Sequence, residues 1–269
     1  MSRIVEVQRG GGEGALVEDR VAVEEPLEIR VGTEPVVVTM RTPGHDGELA
    51  VGLLTTEGVL KDVGDVVSVK HCEAVEAASA GNVLVVELKR GAAVDLAPVR
   101  RGFYVSSSCG VCGKASIEQV RWSAEPVSDG FVLDVDVLRS LPGKLRSEQK
   151  VFDQTGGLHA AGLFDGDGAL LCLREDVGRH NAVDKVIGWS VLAGRWPLDD
   201  HVLMVSGRSS FEILQKALKA RVPVVAAVSA ASSLAVELAE AGNQTLVGFL
   251  RGEEMTVYCG GERIRHGGT

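Results

Sequence analysis

Cys109 and Cys112 are the residues of this chain best suited to covalent chemistry. They lie in Ser106-Ser107-Ser108-Cys109-Gly110-Val111-Cys112-Gly113-Lys114, a C-x-x-C pair set among small, polar and flexible residues, which is no setting for a buried structural pair. A thiol reacts as its thiolate, and a C-x-x-C partner, backbone N–H groups and a nearby lysine lower a cysteine pKa from about 8.5 toward neutrality. One of the two sulfurs is therefore expected to be chemically active. Lys114 either lowers that pKa or is a solvated lysine. Half of a zinc knuckle is the competing reading of an isolated C-x-x-C. Cys72, Cys172 and Cys259 are single cysteines without a second such pair.

A second kind of chemistry is suggested by three polar clusters that follow apolar, strand-like runs. Arg174-Glu175-Asp176-Val177-Gly178-Arg179-His180-Asn181 runs from a strand into a helix start, so backbone N–H groups and Arg179 could hold a phosphate. Ser206-Gly207-Arg208-Ser209-Ser210 repeats the arrangement after the next strand, and Arg251-Gly252-Glu253-Glu254 ends a later one. One such cluster reads as a solvated loop with a helix cap. Three basic loops at equivalent strand ends point to a single anionic ligand. His159 and His180 each also read as hydrogen-bonded structural histidines, and for His159, after Gly156-Gly157, that is the preferred reading.

These residues need a scaffold. In the first half, Leu27 to Val31 and Val36 to Arg41 flank Gly32-Thr33-Glu34 as a hairpin, and Val66 to Lys70 and Val83 to Lys89 read as further strands. Between them, Asp46 is placed to cap a helix carrying Leu49, Leu53 and Leu54, with Gly58 as its stop. In the second half, His159 to Leu163 and Leu170 to Arg174 form a hairpin around Asp165-Gly166-Asp167-Gly168, and strands and helices then alternate. A helix from Asn181, strands at Val202 to Val205 and Pro223 to Val228, a helix around Phe211, Leu214 and Leu218, a helix from Ser232 to Ala241 and a strand from Thr245 to Leu250 complete it. Continuous apolar runs are how strands buried on both faces read. The expected fold is α/β: a three-layer second domain over 129–269, with its ligand site at the carboxyl ends of the strands, and a smaller β-rich domain over 1–128 that ends in the C-x-x-C loop.

Composition narrows the partners. A chain of 269 residues, 45% hydrophobic and 24% charged, buries a full core. Its formal charge of -9 gives no global field that would attract nucleic acid or an anionic membrane. Met1 to Gly14 lacks an apolar signal core, and no run approaches the roughly 18 apolar residues of a membrane span. A cytoplasmic protein is expected, consistent with an odd number of cysteines. The glycine run Gly10-Gly11-Gly12-Glu13-Gly14 loosely imitates a dinucleotide fingerprint, but no helix pattern follows it, and it reads as a tail.

The ordered set Thr42-Pro43-Gly44-His45-Asp46, Ser107 through Lys114, Thr155-Gly156-Gly157-Leu158-His159-Ala160, Arg174 through Lys185 and Ser206-Gly207-Arg208 closely resembles the formate dehydrogenase accessory sulfurtransferase family, FdhD, from about Val21 to Val257. The resemblance implies a sulfur carrier. Such a carrier takes persulfide sulfur from a cysteine desulfurase and passes it to the molybdenum cofactor, a bis-molybdopterin guanine dinucleotide, before the cofactor's insertion into formate dehydrogenase. It further implies a second domain similar to the cytidine deaminase fold and no permanently bound metal. Carried over by position, the persulfide cysteine is Cys109 and its partner Cys112. The cofactor-binding stretch falls on Phe249, Leu250, Arg251, Gly252, Glu253 and Glu254, to which the strand-end arginines Arg179 and Arg208 add. Our own division of that stretch has Arg251 meeting a phosphate and the two glutamates facing the guanine edge. Ala231 stands where the family often has proline.

Two alternatives stay open on sequence grounds. His71-Cys72-Glu73 with Cys109-Gly110-Val111-Cys112 formally matches the H-x-E and C-x-x-C parts of a zinc nucleobase deaminase, although Ser108 stands where that signature expects proline. A non-catalytic chaperone for a guanine dinucleotide would keep the basic loops and make the cysteines incidental. The sequence does not name the donor or the client enzyme, and it leaves the oligomeric state open, a homodimer being compatible with it.

Overall fold

The computed structural model describes residues 1–9, 15–73, 79–96, 99 and 125–266. Cys109, Cys112, Lys114 and the glycine run 10–14 lie outside the described residues.

Two sheets carry the chain. In the first half, β3 (Glu25–Val31) and β4 (Glu34–Arg41) form the expected hairpin. With β5 (Val66–His71) and β6 (Val83–Leu88) they make a four-stranded sheet in the order β4-β3-β6-β5. Helix α1 (Asp46–Thr56) covers it, burying Leu49, Leu53 and Leu54 against Leu27, Ile29, Leu84 and Val86. The helix begins one residue earlier than Asp46 suggests. His45 is its N-cap, in a left-handed conformation (φ 58°) and without a side-chain cap bond, because the Asp46 carboxylate is taken by Arg41 through two bonds of 3.0 Å. A hairpin of β1 (Ser2–Gln8) and β2 (Leu16–Ala22) precedes this sheet, in a stretch that the sequence reading left without strands.

The second half is built on a six-stranded mixed sheet in the order β13-β12-β11-β10-β8-β9. Its strands, numbered after the short β7 (Leu133–Asp134), are β8 (His159–Phe164), β9 (Leu170–Asp176), β10 (Val202–Val205), β11 (Val224–Ala227), β12 (Thr245–Arg251) and β13 (Glu254–Cys259). Strands β10, β11 and β12 run parallel and the other pairings are antiparallel. Every residue of β10 and β11 is buried, as continuous apolar runs require. One face packs against α2 (Val135–Ser147) through Leu138, Leu141 and Leu145. The other face packs against α4 (Arg179–Leu192), α5 (Phe211–Lys219) and α6 (Ser233–Ala241). A short helix, α3 (Lys150–Thr155), follows α2. The sequence reading has no helix over 135–147, where Pro142-Gly143 interrupts the pattern. The helix nevertheless forms because Asp134 caps it, accepting from Asp136 N at 2.7 Å, and because its leucines recur at the spacing of three and four that one buried face needs. Among the described residues, no helix is long and apolar enough to cross a membrane.

The two halves meet where α1 crosses α4. A β-carbon built on Gly52 would lie 1.8 Å from the carbonyl oxygen of Asp184, and one built on Gly188 would lie 1.8 Å from that of Glu48. The helices therefore touch backbone to backbone, and only glycine fits at either position. Beside this contact, Lys216 Nζ donates to Thr56 Oγ1 at 2.9 Å and meets Asp184 at 2.9 Å and Glu57 at 3.1 Å, while Thr56 donates to Asp184 Oδ1 at 2.8 Å. Burial by itself would lower the Lys216 pKa, but the carboxylates of Asp184 and Glu57 outweigh it and hold the ammonium above the usual lysine range. On the outer side of the crossing, Glu48 pairs with Arg174 of β9 at 2.5 Å.

Gly52→Ala and Gly188→Ala are each expected to cost about 3 kcal/mol or more, the upper end of overpacking, since the obstructing atoms are backbone. Gly143→Ala, in α2 with no atom within 4 Å of its added carbon, should be neutral or stabilising by up to about 1 kcal/mol. Urea unfolding of the three variants checks this.

Glu48 supplies a pH test. Burial raises its pKa, but hydrogen bonds from Arg174 and His45 outweigh that and hold it below the usual glutamate range. A depressed carboxyl pKa contributes stability that is present above the unfolded value and lost as pH falls through the folded one. Wild-type stability should thus fall as pH drops from the ordinary glutamate pKa through the lower folded-state value, and Glu48→Gln should lack that part of the acid loss in denaturant titrations at stepped pH.

Candidate functional site

The carboxyl ends of β10, β11 and β12 face one edge of the large sheet. Because β8 runs antiparallel to β10, its first residue, His159, reaches the same edge, and so does Asp176 at the end of β9, paired with it in register. The three basic loops are therefore brought together as the sequence requires. Between this edge and the α2–α3 turn lies a cavity of about 690 Å³. Its apolar wall is Pro142, Leu145, Phe152, Leu158, Val228 and Leu250, and its polar groups come from Arg146, Gln149, His159, Ser206 and Arg251.

The loop after β10 is held in place by Ser206. Ser206 Oγ accepts from Ala160 N at 2.9 Å, and Ser206 N donates to Ala160 O at 2.9 Å, locking the β10 loop to β8. Gly207 follows. A β-carbon there would approach His159 Nδ1 to 3.2 Å and Arg179 Cδ to 3.9 Å, so the glycine lets the imidazole and the arginine stem close on this loop. Burial, followed by the nearby Arg179 and His180 charges, lowers the His159 pKa, so the ring is neutral at pH 7 and offers one N–H donor and one acceptor. The sequence reading treats His159 as structural, yet it lines the cavity. The signal available was its place at the start of a strand antiparallel to the three parallel ones.

Arg179 is the first residue of α4, behind His159 and Gly207. Its Nε is buried and has no hydrogen-bond partner among the described residues, a costly arrangement unless an anion completes it. Arg208 is exposed nearby and acts on His159 electrostatically. His180 is occupied: its Nε2 lies 2.9 Å from Glu212 and 3.3 Å from Ser210 Oγ.

The rest of the Arg174–Asn181 cluster turns inward. Arg174 binds Glu48, and Glu175 accepts from Val151 N and Phe152 N at 2.9 and 2.8 Å, which caps α3 and fixes the Phe152 wall. Asp176 takes the ammonium of Lys185 at 2.7 Å together with Thr42 N, Gly178 N and Asn181 Nδ2.

The stretch 249–254 is divided. Phe249 holds a left-handed conformation (φ 51°), rare for a bulky residue, at a bulge of β12, and its ring is 41% exposed with the Arg251 guanidinium 6.0 Å from its centroid. Leu250, Arg251 and Gly252 line the cavity, and Arg251 Nε donates to Val228 O at 3.0 Å. Glu253 points to Arg139 of α2 at 3.2 Å, and Glu254 is exposed at the start of β13.

Two of the three described cysteines, Cys172 and Cys259, are poorly suited to carrying sulfur. Burial pushes the Cys172 thiol up to about 12, and burial likewise raises Cys259, whose Sγ lies 3.4 Å from Gln244 O. Cys72 is half-buried just beyond β5, next to His71, whose Nε2 is 3.7 Å from Asp46 at the start of α1. The segment that contains Cys109 and Cys112 leaves the first core at Val99 and rejoins the second at Val127.

Comparison with known proteins agrees with this fold. The chain is 53% identical over 257 residues to the sulfur carrier protein FdhD of Mycolicibacterium paratuberculosis, covering 94% of each. It is 54% identical over 253 residues to that of Mycobacterium tuberculosis, covering 91% of this chain and 92% of the relative. The fold is similar to the crystal structure of a formate dehydrogenase accessory protein from Desulfotalea psychrophila, with a TM-score of 0.77 at 24% identity over 98% of this chain and 99% of that one. The FdhD/NarQ family model matches residues 22–265, and the chain belongs to that family.

Proposed function

We propose that this protein is a cytoplasmic sulfurtransferase for formate dehydrogenase, loading sulfur on Cys109 from a cysteine desulfurase and delivering it to the molybdenum of a bis-molybdopterin guanine dinucleotide held at the strand-end cavity. The observation that carries the second half is the buried, unpaired Nε of Arg179 beside a cavity edged by Arg251, His159 and Ser206. A volume near 690 Å³ suits one nucleotide-sized arm of that substrate. Support for the first half comes from the names of the close relatives and from the burial that raises the Cys172 thiol away from its reactive form.

Loading is a displacement at sulfur. The Cys109 thiolate attacks the terminal sulfur of the donor's persulfide. The donor S–S bond breaks, its cysteine leaves as a thiolate, and Cys109 becomes a persulfide with no net oxidation. Cys112 assists the onward transfer or, by attacking Cys109 Sγ, releases hydrosulfide and closes a disulfide. On the substrate side, Arg179, Arg208 and Arg251 neutralise the diphosphate, and neutral His159 contributes a hydrogen bond. The layering, α2 on one face of the mixed sheet and three helices on the other, supports the cytidine-deaminase-like reading of this half.

In a strain lacking this protein, Cys109→Ala should fail to restore formate dehydrogenase activity, while Cys72→Ala, Cys172→Ala and Cys259→Ala restore it nearly in full. Full rescue by Cys109→Ala would end the persulfide route.

The wild-type protein should bind GDP, and Arg179→Ala and Arg251→Ala should each weaken it about 10- to 100-fold, the loss of one charge-assisted contact. Titration calorimetry reads this directly, and equal affinities would remove the altered arginine from the site.

A further inference from the structure

Gln149 sits between α2 and α3 and is the N-cap of α3. Its backbone is fully used, N donating to Arg146 O at 3.3 Å and O accepting from Asp153 N at 3.0 Å. Its side chain is only 4% exposed and lines the cavity, yet the amide makes no hydrogen bond to any described residue. An amide that opens onto a cavity without a protein partner is left to water or to a ligand. The other polar groups on this wall are committed. Glu175 caps α3, and Arg146 pairs with Asp153 at 2.5 Å while lying 5.0 Å from the Phe152 centroid. Gln149 is thus the free donor–acceptor pair of the α2–α3 wall, flanked by the Phe152 ring and Pro142.

We propose that Gln149 is a specificity-determining residue that reads the lactam edge of a planar heterocycle, the adjacent N–H and C=O that guanine and pterin both carry. This rests on reading the cavity as a nucleotide site. A primary amide presents one N–H beside one C=O in a single plane, so both of its groups are satisfied by an adjacent donor and acceptor. A phosphate or sugar hydroxyl does not offer that pair. The apolar and aromatic surfaces beside Gln149 suit the faces of such a ring, whereas the cations that suit a diphosphate stand at the strand ends. The arrangement orients the ligand with its ring toward α2–α3 and its phosphates toward Arg179 and Arg251.

Calorimetry with GDP, O6-methyl-GDP and inorganic pyrophosphate tests this on wild type, Gln149→Leu and the near-isosteric Gln149→Met. Both variants are expected to bind GDP about 10- to 100-fold more weakly, the discrimination given by a bidentate pair, with pyrophosphate affinity unchanged. Wild type should bind O6-methyl-GDP, which lacks the lactam N–H, as weakly as the variants bind GDP. If Gln149→Met binds GDP like wild type, or wild type does not distinguish GDP from its O6-methyl form, Gln149 does not read the ring although the nucleotide site stands. If wild type binds neither GDP nor pyrophosphate, the nucleotide site itself falls and the assignment falls with it.

Discussion

The crossing of α1 over α4 is the constraint on which the rest of the molecule depends. Gly52 and Gly188 let the helices approach until each carbonyl occupies the place of the other's missing side chain. Such an approach leaves little room for ordinary apolar packing at its margins, and the margins are filled by ionised groups with directed partners. Lys216 answers Asp184 and Thr56 on one side, and Lys185 answers Asp176 and the Thr42 carbonyl on the other. Buried pairs of this kind contribute little net stability compared with well-packed apolar residues, but removing one member leaves a desolvated charge behind. They set register more than they add strength. A slip of α1 along α4 would break the Lys216–Thr56 and Lys185–Thr42 bonds at once.

That fixed register decides what the start of α4 presents. Asp176 uses its oxygens to hold Lys185, Thr42 N, Gly178 N and Asn181, so the turn entering α4 is tied to the small sheet before any ligand arrives. With Glu175 turned back to cap α3, the two acidic residues of the turn are spent on structure and Arg179 is left as the cation with an unsatisfied donor. The chain is acidic overall, yet among the described residues no carboxylate pairs with Arg179 at this edge. Local placement, not net charge, makes the edge attractive to an anion.

Much of this was legible in the sequence. The apolar runs at Val202 to Val205 and at Pro223 to Val228 announced buried strands, and the basic loops after them lie together at one edge of that sheet. What stayed hidden had physical reasons. Helix α2 carries Pro142-Gly143, which breaks the local pattern, and it forms because its leucines pack on the sheet. β1 and β2 expose much of their surface, including Ile4 and Leu16, so no alternation marks them. His159 and Gln149 gain their places only through antiparallel pairing of β8 and the α2–α3 turn, which no local spacing encodes. Asp46 looked like a cap, but Arg41, five residues earlier, claims its carboxylate.

The central claim is that one chain carries sulfur at Cys109 and holds the receiving substrate at the strand-end cavity. The most direct measurement loads the protein with labelled sulfur from a cysteine desulfurase and then adds the molybdenum cofactor with and without saturating GDP. The account predicts that GDP leaves loading intact and blocks passage of the label to the cofactor. Passage at the same rate with the cavity filled by GDP would contradict it.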